Sequence, residues 1–206
     1  MNRLIALLQS GPANLLVSAL LAITWAIFAI AHVHGFQASG NWTYLLFFLA
    51  ESLAALFFLL RTRPVTVSTS VLDWLLAIGA TFGPFLLRPA AWGLVPAAAL
   101  LLAAGCLMQI AGLLALNRSF GLVAAKRRIK TAGVYQLVRH PLYASYLVSF
   151  AGYLLSNTSM PNLLVCLAEI ALLLLRLVRE ERHLAHDASY RAYMREVKYR
   201  LVPWVF

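Results

Sequence analysis

Long apolar segments are the feature that most restricts how this chain can fold. A helix that crosses the hydrocarbon core of a bilayer needs about 20 mostly apolar residues. Such runs recur along the chain, because 62% of its 206 residues are apolar and only 12% carry a charge. In an ordinary soluble domain about 25% of residues are charged. The sequence therefore predicts an all-α integral membrane protein, and it excludes a disordered chain and most soluble globular domains.

Six apolar segments are candidates for membrane helices. They cover residues 14–32, 42–60, 71–87, 94–116, 142–156 and 163–178. A short polar stretch with Pro161 separates the last two, so we expect a helical hairpin whose arms pack against each other. Cys106 and Cys166 lie inside apolar runs, which is typical of buried core residues, and their surroundings do not have the spacing of a zinc site.

The basic residues indicate how these helices are oriented. If the N-terminus is cytoplasmic and six segments alternate, every Lys and Arg except Arg88 falls on the cytoplasmic side. The same rule explains the net charge of +10, so we predict the lipid bilayer as partner and no nucleic acid. The predicted location is the bacterial inner membrane, with both termini in the cytoplasm and a C-terminal amphipathic segment on that side.

Ionisable residues are unevenly distributed along the chain. In the first half, Glu51 and Asp73 lie in or near apolar segments, where each carboxylate can be paired or can reach the interface, so their roles stay open. In the second half, His140 and Pro141 begin a helix at its cytoplasmic end. The free N–H groups of such an end favour an anionic ligand, and a simple positive-inside anchor is the alternative.

The last apolar helix carries two adjacent glutamates. Helical spacing places Glu181 on an otherwise apolar stripe with Leu177, provided that the helix continues unbroken to residue 188. A buried carboxylate needs a cationic partner, which is either an arginine from elsewhere or a ligand. Glu180 lies on the neighbouring row with Arg176, where we expect it to be solvated.

Three motifs follow one another in the second half. Residues 133–143 read Gly-x-Tyr-x-x-x-Arg-His-Pro-x-Tyr, residues 180–184 read Glu-Glu-x-x-Leu, and residues 190–203 read Tyr-x-x-Tyr-x-x-x-Val-x-x-Arg-Leu-x-Pro. In this order they resemble the isoprenylcysteine carboxyl methyltransferase family, with the related phosphatidylethanolamine N-methyltransferases. The resemblance covers roughly residues 105–206. It implies a catalytic half there and a structural or substrate-channel role for residues 1–104.

The resemblance implies an integral membrane enzyme that transfers a methyl group from S-adenosylmethionine to a lipophilic acceptor, without a Rossmann domain and without a metal. The implied cofactor-binding residues are Tyr135, Arg139, His140, Tyr143, Glu180 and Glu181. The C-terminal segment would fold over this pocket and close it.

The methyl acceptor is left open by the sequence. A carboxylate acceptor needs an arginine to orient it, and the candidate catalytic residues are then Arg176, Arg179 and Arg200. An amine or thiol acceptor must lose a proton, which His140 or His183 could accept. A prenylated cysteine and a small lipid or hydrophobic metabolite are both compatible with these residues.

An NADPH-dependent membrane sterol reductase is the alternative enzyme. Such reductases resemble this chain in the Arg-His-Pro-x-Tyr motif and in the C-terminal pattern. In them x is typically Asn and a Gly-acidic pair follows, whereas here x is Leu142 and Ala144 and Ser145 follow. They also lack the Glu-Glu-x-x-Leu element. A transporter is disfavoured, because the polar residues gather at one end of the second half.

Overall fold

The structure, a computed structural model, describes residues 11–90, 92–123, 125–127 and 129–206. Its helices are α1 Gly11–Ser39, α2 Thr43–Leu60, α3 Val71–Phe82, α4 Ala99–Leu116, α5 Pro141–Ser156, α6 Met160–Leu184 and α7 Ala188–Glu196. Short 3₁₀ helices cover Gly83–Leu86, Pro96–Ala98, Asn117–Ser119 and Gly133–Gln136. The strands β1 Thr66–Val67 and β2 Ala125–Lys126 form one antiparallel pair. This architecture confirms the predicted all-α membrane class.

All six predicted apolar segments are helical, but they differ in length. Among the described residues, α1, α2, α4 with its extension to Ser119, and α6 are long and apolar enough to cross a membrane. The segment Val71–Leu86 is shorter, and α5 has 16 residues. The α-helical part of the shorter segment ends at Phe82 because the ring of Pro84 is incompatible with a further turn of α-helix.

The hairpin of α5 and α6 turns within residues 157–159, as predicted. The Ser159 side chain caps α6 by accepting a hydrogen bond from the N–H of Asn162 at 3.3 Å. Phe150 and Cys166, one from each arm, belong to the same buried cluster. The two arms therefore pack against each other over part of their length.

The most intimate helix contact of α5 is with α4. A Cβ atom on Gly152 would lie 2.8 Å from the backbone nitrogen of Leu102. Only a residue without a side chain fits there, which is the usual way in which membrane helices bring their backbones close together.

A second buried cluster joins the two halves of the chain. The ring centroids of Trp25 and Phe58 are 4.9 Å apart, and those of Phe58 and Phe120 are 4.8 Å apart. Leu113 and Leu142 belong to the same cluster. Helices α1 and α2 are thus packed directly on the elements that carry the second-half motifs.

The helix that carries the two glutamates is not unbroken through residue 188, so the condition attached to the Glu181 stripe is not met in full. Helix α6 ends at Leu184, and α7 begins after Asp187, whose side chain accepts hydrogen bonds from the backbone N–H groups of Ser189 and Tyr190. The break lies beyond Glu181, so the Glu181 side chain still points inward, as the helical spacing predicts.

Loop contacts assign the charged residues to the two ends of the bundle. At the hairpin end, the Asn162 Oδ1 atom accepts from the backbone N–H of Arg88 at 3.0 Å. At the opposite end, Arg118 donates to the Leu60 carbonyl at 2.7 Å and Arg127 donates to the Thr62 carbonyl at 3.1 Å. The charge pattern also uses Arg3 and Arg128, which lie outside the described residues.

We expect cysteine labelling to show the hairpin turn on the non-cytoplasmic side. Met160 is 66% exposed, and Cys106 and Cys166 are both buried, so Met160→Cys introduces one accessible thiol. A membrane-impermeant maleimide should label it in intact cells, whereas Thr131→Cys in the basic loop should react only after lysis. The reverse pattern would overturn the positive-inside orientation.

Candidate active site

The segment that follows α7 is bound to the start of α5. The backbone N–H groups of Arg139 and His140 donate to the carbonyls of residues 199 and 200, both at 2.9 Å. The Arg139 Nη1 atom donates to the carbonyls of residues 197 and 198, both at 2.8 Å. The C-terminal segment therefore occupies the backbone N–H groups of residues 139 and 140, just before the first turn of α5.

Glu181 lies at the centre of a buried group of charges. Its Oε1 atom is 2.6 Å from Arg139 Nε and 3.1 Å from His140 Nε2, and its Oε2 atom is 2.9 Å from Arg200 Nε. The side chains of Glu181 and Arg139 are each 5% exposed. We call these four residues the Glu181 cluster. Two arginines of the protein thus supply the cationic partner that the buried carboxylate of Glu181 requires.

Glu180 has different surroundings from its neighbour. Its Oε2 atom accepts a hydrogen bond from the Tyr143 hydroxyl at 2.5 Å, and the side chain lines a cavity between the helices. Glu181 is not one of the residues that line this cavity. The expectation of a solvated Glu180 is wrong, because α5 places Tyr143 beside it.

The cavity has a volume of about 750 Å³, within the range of about 300–1,000 Å³ that is usual for small-molecule sites. Its end near the Glu181 cluster is polar and aromatic, and its remainder is mostly apolar. The polar end is lined by Arg127, Tyr135, Arg139, His140, Tyr143, Arg176, Glu180, Tyr190 and Tyr193. The apolar part includes Trp25, Phe28, Phe47, Leu102 and Phe150. Of the six predicted cofactor residues, only Glu181 is absent from this lining.

Two polar atoms on residues that line the polar end have no partner in the described part of the chain. They are the Nε atom of Arg176 and the hydroxyl of Tyr190, and both are buried. The Arg176 Nη2 atom donates to the Leu122 carbonyl at 2.5 Å, and its guanidinium lies 5.3 Å from the centre of the Tyr143 ring. Buried polar groups are normally hydrogen-bonded, so these atoms indicate where a ligand can bind.

The other two candidate arginines lie outside the cavity lining. Arg179 forms an ion pair with Asp73 and donates to the Ser70 hydroxyl at 2.9 Å. It borders a separate cleft of about 290 Å³ that also contains His183. Arg200 belongs to the Glu181 cluster. Asp73 is therefore paired, and of the predicted catalytic arginines only Arg176 can touch a ligand in the cavity.

Burial affects the ionisation of the residues that close the polar end. It raises the pKa values of the Tyr135, Tyr190 and Tyr193 hydroxyls well above their usual range, so these tyrosines stay neutral. Burial, with repulsion from Arg61, lowers the pKa of the Arg127 guanidinium to about 10. Arg127 thus stays protonated at neutral pH and adds a positive charge beside the cavity.

The surroundings of two carboxylates in the membrane helices could not be predicted from the sequence pattern. Glu51 lines the cavity. Glu169 is buried against Gly83, and its Oε2 atom has no hydrogen-bond partner among the described residues. The sequence does distinguish Glu169, because it is the one acidic residue within the apolar run 163–178.

Comparison with known proteins supports the predicted resemblance. The family model described as phospholipid methyltransferase matches residues 94–190, so the match begins earlier than residue 105 and ends before most of the C-terminal motif. No curated protein matches the chain. None of the comparisons supports a sterol reductase. Residues 94–190, nearly half of the chain, therefore match the phospholipid methyltransferase family, and this match supports a membrane methyltransferase in general.

Proposed function

We propose that the protein transfers a methyl group from S-adenosylmethionine to a lipophilic acceptor, and that both molecules bind in the one cavity. The observation that carries this proposal is the division of the cavity lining. One end holds a carboxylate, several cations and a set of tyrosines, and the rest is mostly apolar. A polar donor and a membrane-soluble acceptor require these two environments side by side.

The residues at the polar end fit the chemical groups of this cofactor. S-adenosylmethionine has a carboxylate, an ammonium, a sulfonium and ribose hydroxyls. The unpartnered Nε of Arg176 suits the carboxylate, Glu180 suits a cation or the hydroxyls, and the ring of Tyr143 suits a cation. When bound, the cofactor supplies an electrophilic methyl group.

The chain itself contributes positioning and the exclusion of water. Methyl transfer by direct displacement needs no covalent intermediate with the enzyme, so most of the catalysis comes from alignment of the two reactants. The buried tyrosines at residues 135, 190 and 193 close the polar end. Glu181 and Arg139 act indirectly, because they hold the segment that directly follows α7, the helix that carries Tyr190 and Tyr193.

The cofactor is tested by thermal stability of the purified protein in lipid nanodiscs. A ligand at about 100 times its Kd stabilises the folded protein by about 2.7 kcal/mol, so S-adenosylhomocysteine should raise Tm clearly. NADPH at the same concentration should not. Radiolabelled S-adenosylmethionine should then transfer its label to a lipid extract. Stabilisation by NADPH alone, or no response to S-adenosylhomocysteine, would contradict the proposal.

A further inference from the structure

Glu51 places a carboxyl group at the middle of a membrane helix. In α2, Thr43–Leu60, it lies eight residues from one end and nine from the other, which is about 12–14 Å from each end at 1.5 Å per residue. Charged groups at that depth are costly unless they are paired. Within the described residues Glu51 forms no hydrogen bond and no ion pair, and its side chain lines the cavity.

A polar chamber surrounds this carboxyl group. Tyr143, Tyr146 and Ser149 recur at a spacing of three along α5, so they form one stripe that leads from the polar end into the cavity. Tyr146 and Glu51 line the same cavity. Gln109 of α4 also lines this part. We call Glu51, Gln109, Tyr146 and Ser149 the middle chamber.

Aromatic residues from the first half of the chain line the same cavity as the middle chamber. They include Trp25 and Phe28 of α1 and Phe85 of the 3₁₀ helix after α3. The nearby cation, Arg176, is engaged with the Leu122 carbonyl and the Tyr143 ring. The chamber thus combines an apolar enclosure with an acceptor of hydrogen bonds that the described part of the protein leaves unused.

We propose that Glu51 is a specificity-determining residue that binds an N–H or O–H group of a lipophilic methyl acceptor in the middle chamber. This inference rests on the proposed function and names its substrate class, a lipophilic amine or alcohol. A carboxylate acceptor is disfavoured, because it would bring a second acid next to Glu51 in a medium of low dielectric constant.

The test compares three twelve-carbon probes on the protein in nanodiscs with S-adenosylhomocysteine present. Dodecylamine and dodecanol should raise the Tm of the wild-type protein more than dodecanoate does. In Glu51→Leu this preference should disappear, with the apparent Kd for dodecylamine increased about tenfold or more. Glu51→Gln keeps the size of the side chain and should show a smaller loss. Glu196→Gln, an exposed glutamate outside the cavity, is the matched control and should behave as wild type.

The stability of the ligand-free variants separates binding from a structural role. A buried carboxyl without a partner costs stability, so Glu51→Leu should have a Tm equal to or above that of the wild type. A marked decrease in both Glu51 variants would show a structural residue and overturn the inference, as would equal stabilisation by the three probes or a preference that survives in Glu51→Leu. S-adenosylhomocysteine should bind all variants alike, and its failure to bind the wild type would instead contradict the proposed function.

Discussion

Glu181→Ala is expected to release the C-terminal segment from the start of α5 and to destabilise that end of the protein by about 3–5 kcal/mol. The change leaves Arg139 buried without its carboxylate, at a site where the Glu181 side chain is 5% exposed. It also removes the 2.9 Å contact that holds Arg200. Because the segment anchors α7, which carries Tyr190 and Tyr193 of the polar end, binding of S-adenosylhomocysteine should be lost with it.

Limited proteolysis measures this release directly. Lys198 and Arg200 are trypsin sites within the bound segment, and a loss of about 3–5 kcal/mol makes its open form about two to three and a half decades more populated. Cleavage in Glu181→Ala should therefore be faster than in the wild type by a comparable factor. Glu196→Ala removes an exposed glutamate from the end of α7 and should leave the rate unchanged. Equal cleavage rates in all three proteins would show that the Glu181 cluster does not hold the segment.

Glu180→Gln is expected to weaken cofactor binding with little effect on stability. The amide oxygen can still accept the hydrogen bond from Tyr143, so the local structure is kept while the charge that faces the cavity is lost. A hydrogen bond to a charged group is worth about 1.5–3 kcal/mol, which corresponds to an increase in Kd of about one to two decades. Titration of S-adenosylhomocysteine by calorimetry gives this value.

The two glutamates are distinguished by what each variant loses. Glu180→Gln should bind the cofactor more weakly while its C-terminal segment stays resistant to trypsin. Glu181→Gln should lose that resistance first. Helical periodicity alone suggests a different result, because it makes the inward-facing Glu181 the residue with the stronger contact to the ligand. Native affinity in Glu180→Gln would remove Glu180 from the proposed site.

The fold was largely predictable because membrane helices are defined by local composition. The turn of the hairpin followed from Pro161 and its polar neighbours, and the buried state of Glu181 followed from the stripe that it shares with Leu177. The strands β1 and β2 were not predicted, since two residues carry no periodicity. The early end of α3 was not predicted, because Pro84 lies within the apolar run 71–87 and composition alone does not show where the α-helix stops.

The motifs indicate residues that the structure brings together, but they indicate less of how those residues are arranged. The motifs indicated Tyr143, Arg139 and both glutamates, and a cationic partner for Glu181 was expected. Which arginine fills that role depends on long-range contacts, since Arg200 is brought to Glu181 by the return of the chain after α7. The place of Glu51 depends on how α2 is rotated against α5, and a single sequence does not encode that rotation in any local pattern.

Because the cavity has walls from both halves of the chain, mutations that alter its apolar part can occur separately from mutations that alter its polar end. Residues that face the polar end come from the segments that carry the family motifs, whereas Trp25, Phe28 and Phe85 face the apolar part from the first half. Substitutions in α1 to α3 can therefore alter the shape offered to an acceptor while the polar end stays intact. Descendants of such a chain can diversify in what they modify through mutations in a region that carries none of the three motifs.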